Sequence, residues 1–150
     1  MSIIVSSQDV QLSSAPIRAE WIIEGRPVAR NTVLARSADR TAMTMLWDCS
    51  AGVFRWVYDQ DETIHVIEGG VTLSLPGGRV EVLGPGDVVF FPAGSSATWR
   101  VDSYVRKLAI FRESVPQPMA LLVRLRSKLR GLVGGQLPAF AAPEPKLQAA

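Results

Sequence analysis

Apolar and polar residues alternate in short runs through residues 18–111, and this period of two is typical of half-buried β-strands. The clearest case is residues 71–83, where two alternating runs flank the turn signal Pro-Gly-Gly at residues 76–78. The later runs are rich in β-branched and aromatic residues, and no helical period interrupts them. The pattern predicts an all-β body of many short antiparallel strands, arranged as a barrel or jelly roll.

The period changes over residues 118–133, where leucines and a valine recur on one stripe of a 3.6-residue helix, with basic residues off the stripe. Gly134-Gly135 is a typical helix end. We therefore predict a barrel with N-terminal strands over residues 1–114, and an amphipathic helix with a loose tail over residues 115–150. We expect the helix to pack on the barrel or on a second subunit; an anionic membrane or another partner is the alternative.

The composition favours a folded domain, because 47% of the 150 residues are hydrophobic and can supply a core. The net charge of +2 is unevenly distributed along the chain. Residues 1–114 carry 11 Lys and Arg against 13 Asp and Glu, whereas residues 115–150 carry 5 against 1. Since the body is slightly acidic, we expect no nucleic-acid partner.

The sequence predicts a cytoplasmic protein. Its first ten residues lack the basic and apolar regions of a secretion signal, and no run of about 18 uncharged apolar residues is present to span a membrane. Cys49 is the single cysteine, which excludes an intrachain disulfide and fits a reducing compartment. We expect no membrane partner, and we expect Cys49 to be a buried thiol rather than a nucleophile.

Two spacings of glycine, proline and a carboxylate stand out within residues 47–111. Glu62 is followed by six residues and then Gly69, and Gly86 is followed by five residues and then Pro92-Ala93-Gly94. In this order the two motifs resemble those of the cupin superfamily, in particular its small single-barrel members similar to ureidoglycine aminohydrolase and the ethanolamine-utilisation cupins. The resemblance implies a single cupin-type antiparallel β-barrel with the predicted helix following it.

Metal-binding cupins carry three histidines at fixed positions around these motifs, and this chain has none of them. The positions fall on Trp56, Tyr58 and Ala97. The single histidine, His65, lies three residues beyond Glu62 and therefore on the opposite face of its strand. Since a catalytic metal needs about four converging protein ligands, we predict no metal and no cofactor.

Glu62 is expected to face the barrel interior, where a carboxylate is costly to bury unless it is paired or hydrogen-bonded. One interpretation makes it the polar anchor of a small-molecule pocket. The other makes it a structural carboxylate, held by strand ends or by Lys107 or Arg100.

Trp56, Tyr58 and Trp99 are predicted to line the same barrel mouth, giving a stacking surface that suits a planar or amide ligand. Ordinary core packing is the alternative for each of them. Arg55 and Lys107 complete the candidate ligand-binding set, since either can bind a carboxylate or phosphate, although a solvated strand face also explains them.

The sequence favours a cupin-fold protein that binds a small polar metabolite in an aromatic-lined pocket without a catalytic metal. One alternative is a metabolic enzyme resembling ureidoglycine aminohydrolase, which the family resemblance implies. The other is a dimeric scaffold or interaction protein, because exposed β-edges need covering. We expect a homodimer in either case.

Overall fold

The computed structural model describes residues 3–114 together with Met119, Leu121, Leu122 and Leu125. Contacts divide the chain into two units, Met1–Ser114 and Val115–Ala150, and the strands belong to the first. The helix predicted over residues 118–133 and the predicted tail lie outside the described residues, except for those four positions, which are helical and exposed. No helix in the described part of the chain is long and apolar enough to cross a membrane.

Residues 3–114 are built of nine strands, all paired in antiparallel fashion. Two short 3-10 turns interrupt them, at Ala19–Trp21 and Pro76–Gly78. The strands are β1 Ser13–Ser14, β2 Ile22–Gly25, β3 Ala29–Arg36, β4 Ala42–Val57, β5 Asp61–Gly69, β6 Val71–Ser74, β7 Val80–Leu83, β8 Val88–Phe91 and β9 Ser96–Arg112. The predicted all-β body is confirmed, as is the predicted hairpin, which β6 and β7 form around the Pro-Gly-Gly turn.

The long strands β4 and β9 pair along almost their whole length and are shared by both halves of the barrel. One half has the order β1-β3-β4-β9-β5-β8. In the other half β2 pairs with β4, while β6 pairs with β7 and β9. The shorter strands therefore pair on either side of two long central ones.

A register shift in the pairing of β4 with β9 marks the change from one half to the other, because the step from Ser50 to Gly52 on β4 matches the longer step from Tyr104 to Val101 on β9. Such a bulge bends the strand and changes which alternate side chains face inward. Trp47 and Cys49 are in the core before the bulge, whereas Phe54 is in the core after it. A Cβ at Gly52 would lie 2.9 Å from the Pro27 ring, so the close approach at this bend requires glycine at position 52.

A second buried carboxylate, Asp48, is held by groups on the neighbouring strands. Arg30 binds it with two hydrogen bonds, from Nε at 3.0 Å and from Nη2 at 2.5 Å. The Tyr104 hydroxyl donates a third, at 2.9 Å. Asp48 is adjacent to the inward-facing Trp47 and so lies on the other face of β4. Its charge is satisfied by strand-to-strand contacts, which leaves it a structural role.

We predict that Gly69→Ala destabilises the barrel strongly. Gly69 has a φ of +71°, and a Cβ there would lie 2.0 Å from the carbonyl oxygen of Tyr104 on β9. Gly77 is a matched control, because its φ is +82° but no atom lies within 4 Å of its Cβ position. Gly77→Ala should cost only the backbone strain of about 1–2 kcal/mol, whereas Gly69→Ala should cost clearly more in urea unfolding. Equal losses for the two variants would contradict the clash.

Candidate functional site

A cavity of about 450 Å³ opens in the half of the barrel that contains the first part of β4 and the second part of β9. Alternate residues of these strands face it in register: Trp47 is paired with Lys107, Met45 with Ala109, and Met43 with Phe111. Further wall residues come from β5, from the end of β4 and from the segment that precedes β2, namely Glu62, Trp56, Tyr58 and Trp21. The cavity is thus built by strand alternation, closed on one side by the N-terminal segment.

The most buried charged groups of the cavity wall are Lys107 and Glu62. The Lys107 ammonium donates a hydrogen bond to Glu62 Oε1 at 2.7 Å, and the two side chains are only 5% and 2% exposed. Indole rings surround the ammonium, with centroid distances of 4.6 Å to Trp99, 4.9 Å to Trp47 and 6.0 Å to Trp56. The carboxylate and the π-faces together offset the cost of burying this cation.

This pair answers the question that the sequence left open about the partner of Glu62. Lys107 holds it, whereas Arg100 lies 3.8 Å from Glu24 in an exposed pair. Glu62 nonetheless also lines the cavity, so the structural and the pocket interpretations apply to the same side chain. Among the described residues, only Lys107 donates a hydrogen bond to the Glu62 carboxylate, and Oε2 receives none.

Tyr58 lines the cavity beside the pair and is fixed on two sides. Its ring stacks on Phe91 with centroids 4.2 Å apart, and its hydroxyl accepts a hydrogen bond from Trp99 Nε1 at 2.9 Å. Burial raises the pKa of Tyr58, and the nearby Glu62 charge raises it further. Tyr58 therefore remains a neutral phenol at physiological pH.

Four of the six candidate ligand-binding residues lie in the cavity wall: Glu62, Trp56, Tyr58 and Lys107. Trp99 is fully buried behind the wall, where it supports Tyr58 and Lys107 rather than lining the space. Arg55 lies outside the wall; it is exposed and donates a hydrogen bond to Ser96 Oγ at 3.1 Å. The alternation of β4 explains this, because Arg55 lies between the inward-facing Phe54 and Trp56.

Several wall residues escaped the sequence analysis. Met43 and Met45 alternate with Trp47, so the period of β4 carried a signal for them. No sequence pattern indicated Trp21. Its ring lies 5.2 Å from that of Trp56, centroid to centroid, and this position depends on where the N-terminal segment crosses the barrel. All four tryptophans of the chain therefore line the cavity or support its wall.

The charged groups of the cavity wall are Lys107, Glu62 and Asp59. Lys107 and Glu62 neutralise each other at the buried end, while Asp59 is exposed. The cavity therefore has one more negative than positive group, and no arginine lies in its wall. This balance disfavours an anionic ligand, which would meet carboxylates at both ends.

The donor set does not fit a catalytic metal. Trp56 and Tyr58 lie in the wall, Ala97 is buried opposite Trp56 on β9, and His65 is exposed. In the described part of the chain, no three His, Cys, Asp or Glu side chains cluster. The Lys107 ammonium, moreover, already binds Glu62 Oε1, and its positive charge disfavours a metal cation beside it. A closed metal site needs about four ligands, whereas the wall of this cavity offers two carboxylates, Glu62 and Asp59, and no histidine.

Cys49 is buried in the core next to Asp48, and its thiol is held in the neutral form. Burial raises the pKa of Cys49 to about 12, with a further increase from the Asp48 charge. Thiolate is the nucleophilic form, so this cysteine is unreactive near neutral pH.

Comparisons with known proteins place this geometry in a family context. Residues 36–109 match the family model described as the EutQ-like cupin domain. No curated protein matches the chain. A protein of unknown function from Pseudomonas syringae pv. tomato, of the DUF861 family, is 26% identical with a TM-score of 0.65; the match covers 70% of this chain but only 46% of that one. This chain thus spans less than half of that protein's length.

Two further solved structures share the fold. A putative ethanolamine utilization protein Q from Salmonella typhimurium is 21% identical, with a TM-score of 0.53 over 73% of this chain and 100% of that one. The EutQ protein of Clostridium difficile is also 21% identical, with a TM-score of 0.51 over 58% of this chain and 69% of that one. At this identity the likeness concerns the fold.

We predict strong coupling between Lys107 and Glu62 in unfolding experiments. Lys107→Met should cost about 3–5 kcal/mol, because it leaves a buried carboxylate without its cation. Glu62→Gln should cost about 1–3 kcal/mol, because the ammonium loses its acceptor. The double variant should lose much less than the sum of the two, as urea denaturation would measure.

The exposed pair Glu24 and Arg100 is the matched control, since its atoms lie 3.8 Å apart in solvent. Its double-mutant cycle should give a coupling of about 0–1 kcal/mol. Additive losses at Lys107 and Glu62, as at this control pair, would contradict a stabilising buried ion pair.

A further prediction concerns the decrease in the free energy of unfolding at alkaline pH. Because burial raises the pKa of Cys49 in the folded protein from its ordinary value of 9.0 to about 12, the unfolded chain releases this proton first as the pH rises. Cys49 therefore contributes stability below pH 9 that is lost between about pH 9 and 12, with a slope of up to about 1.4 kcal/mol per pH unit. Cys49→Ala should lower stability at neutral pH and make this alkaline slope shallower. Denaturant midpoints from pH 8 to 11 measure it; an unchanged slope would contradict the burial of the thiol.

Proposed function

The chain is a cupin-fold protein of the EutQ-like kind, and from this premise we propose that it binds a small polar molecule in its aromatic pocket without a catalytic metal. The fold itself is the predicted all-β cupin barrel. The observation that carries the proposal is the buried Lys107–Glu62 pair in the wall of an open cavity, with one carboxylate oxygen unused by the described residues.

The size and walls of the cavity support small-molecule binding. Its volume of about 450 Å³ falls within the range of about 300–1,000 Å³ that is common for ligand pockets. Three indole rings and several aliphatic side chains form most of the wall, and a few polar groups converge on it. Such a mixture suits a ligand with a flat apolar body and a polar edge.

The charged groups of the cavity wall determine which net charge of a ligand is favoured. Lys107 is already neutralised by Glu62, and Asp59 adds a negative group. An anion would therefore be repelled, in contrast to the carboxylate or phosphate that Arg55 and Lys107 suggested from the sequence. In this proposal the ligand is neutral or cationic, and a neutral part of it donates a hydrogen bond to Glu62.

In this proposal the Lys107 ammonium takes the role that a metal cation has in metal-dependent cupins. It sits 2.7 Å from the carboxylate of the first motif and is held by indole faces instead of histidines. No feature of the described residues favours hydrolysis, since Cys49 is a neutral buried thiol and Lys107 is paired. An activity like that of ureidoglycine aminohydrolase, a dimeric scaffold role and a cytoplasmic location therefore stay predictions from the sequence.

The experiment is a fragment screen in which flat neutral, cationic and anionic compounds are compared by tryptophan fluorescence. We expect neutral and cationic fragments to bind and anionic ones to bind weakly, with the same result after exhaustive dialysis against a chelator. Trp56→Leu, which removes a wall ring, should weaken binding about tenfold or more. Phe90→Leu is the control, because Phe90 is exposed on β8 and outside the wall. Preferential binding of anions, or loss of binding after chelation, would overturn the proposal.

A further inference from the structure

We propose that the Lys107–Glu62 pair recognises a cis-amide edge, the adjacent N–H and C=O of a lactam or cyclic imide in a flat ring. The inference rests on the proposed function, namely that the cavity binds a small molecule at all, and it names the chemical class of that molecule. In the complex the ligand N–H donates to Glu62, and the ligand carbonyl accepts from Lys107.

The hydrogen-bonding capacity of the pair is only partly used. An ammonium has three donors, and among the described residues Lys107 directs one of them to an oxygen, Glu62 Oε1. The carboxylate has a second oxygen, Oε2, to which no described residue donates. Both side chains line the cavity. The cavity therefore presents an unused acceptor directly beside a cation with unused donors.

Electrostatics require the complementary group to be neutral. A ligand carboxylate would pair with Lys107 only by approaching Glu62, and a ligand ammonium would pair with Glu62 only by approaching Lys107. Lys107 Nζ and Glu62 Oε1 are only 2.7 Å apart. A ligand ion that contacts the oppositely charged side chain therefore also lies close to the side chain of its own charge, which repels it. A neutral group with a donor next to an acceptor satisfies both.

The geometry of amides then narrows the class. In an open-chain secondary amide the N–H and C=O point in opposite directions, because the trans form is favoured by about 2.5 kcal/mol or more. Such an amide cannot engage two adjacent protein groups through one edge. The amide of a lactam ring is locked in the cis form, so its N–H and C=O lie on one edge and can engage both protein groups. Among cis donor-acceptor edges, the indole rings of Trp21, Trp47 and Trp56 in the wall favour one that belongs to a flat ring.

The closing experiment compares 2-pyridone with N-methyl-2-pyridone, which keep the same flat ring and carbonyl and differ in the donor. Binding is followed through the four indole N–H signals in nitrogen-edited NMR spectra, since all four tryptophans surround the cavity or its wall. We expect 2-pyridone to bind about tenfold or more tightly than its N-methyl analogue. The double variant Glu62→Leu with Lys107→Met should lose this preference while keeping the β-sheet spectrum in circular dichroism.

The outcomes separate the two proposals. Equal affinity of the two pyridones for the parent protein would overturn the cis-amide assignment and leave the pocket intact as a binding site. Retention of the preference in the double variant would show that another group reads the amide, and would also overturn the assignment. If no flat neutral or cationic probe shifts any indole signal, the proposed binding function fails together with it. The probe comparison needs no variant, so it decides the assignment even if the double variant does not fold.

Discussion

A lysine ammonium buried against a carboxylate, inside a group of indole rings, is the interaction on which the interior of this barrel depends. Burying either ion alone would cost several kcal/mol, so each requires the other. Lys107 comes from β9 and Glu62 from β5, and β5 and β9 are neighbours in the sheet. The contact therefore fixes the charge of the cavity at the same time as it joins two strands of its wall.

The position of this pair follows from the long strands. β4 and β9 keep a common register from Ala42 to Ser50, which places Trp47 beside Lys107 and so brings an indole face to the ammonium. After the bulge the inward side of β4 changes, and Trp56 reaches the same cation from further along the strand. Without this register shift, strict alternation along β4 would place Trp47 and Trp56 on opposite faces.

This bulge also explains where sequence reasoning succeeded and where it ended. Local alternation was enough for the β6–β7 hairpin and for the all-β fold, because each depends on short runs and turn residues. The spacing from Glu62 to Gly69 led to the inward carboxylate, and chemistry restricted its partner to Lys107 or Arg100. Choosing between the two needed the cross-strand register. Trp21 was out of reach, since no local pattern tells which part of the barrel a distant segment will cross.

The absence of the three histidines and the presence of a buried lysine are two aspects of one electrostatic arrangement. A barrel carboxylate needs a cation, and either a metal or an ammonium supplies it. An ammonium supplies the positive charge and keeps hydrogen-bond donors, but it has no coordination position to exchange. Trp47 and Trp99 lie 4.9 and 4.6 Å from that ammonium, and indole faces stabilise a cation without offering it a lone pair. Adding back one histidine would therefore not restore a metal site, because Lys107 would still neutralise Glu62 and the rings would still exclude further ligands. The same arrangement suits ligand recognition, since Lys107 as a donor beside Glu62 as an acceptor can hydrogen-bond to a neutral polar edge of a ligand. A metal ion would instead polarise such a group.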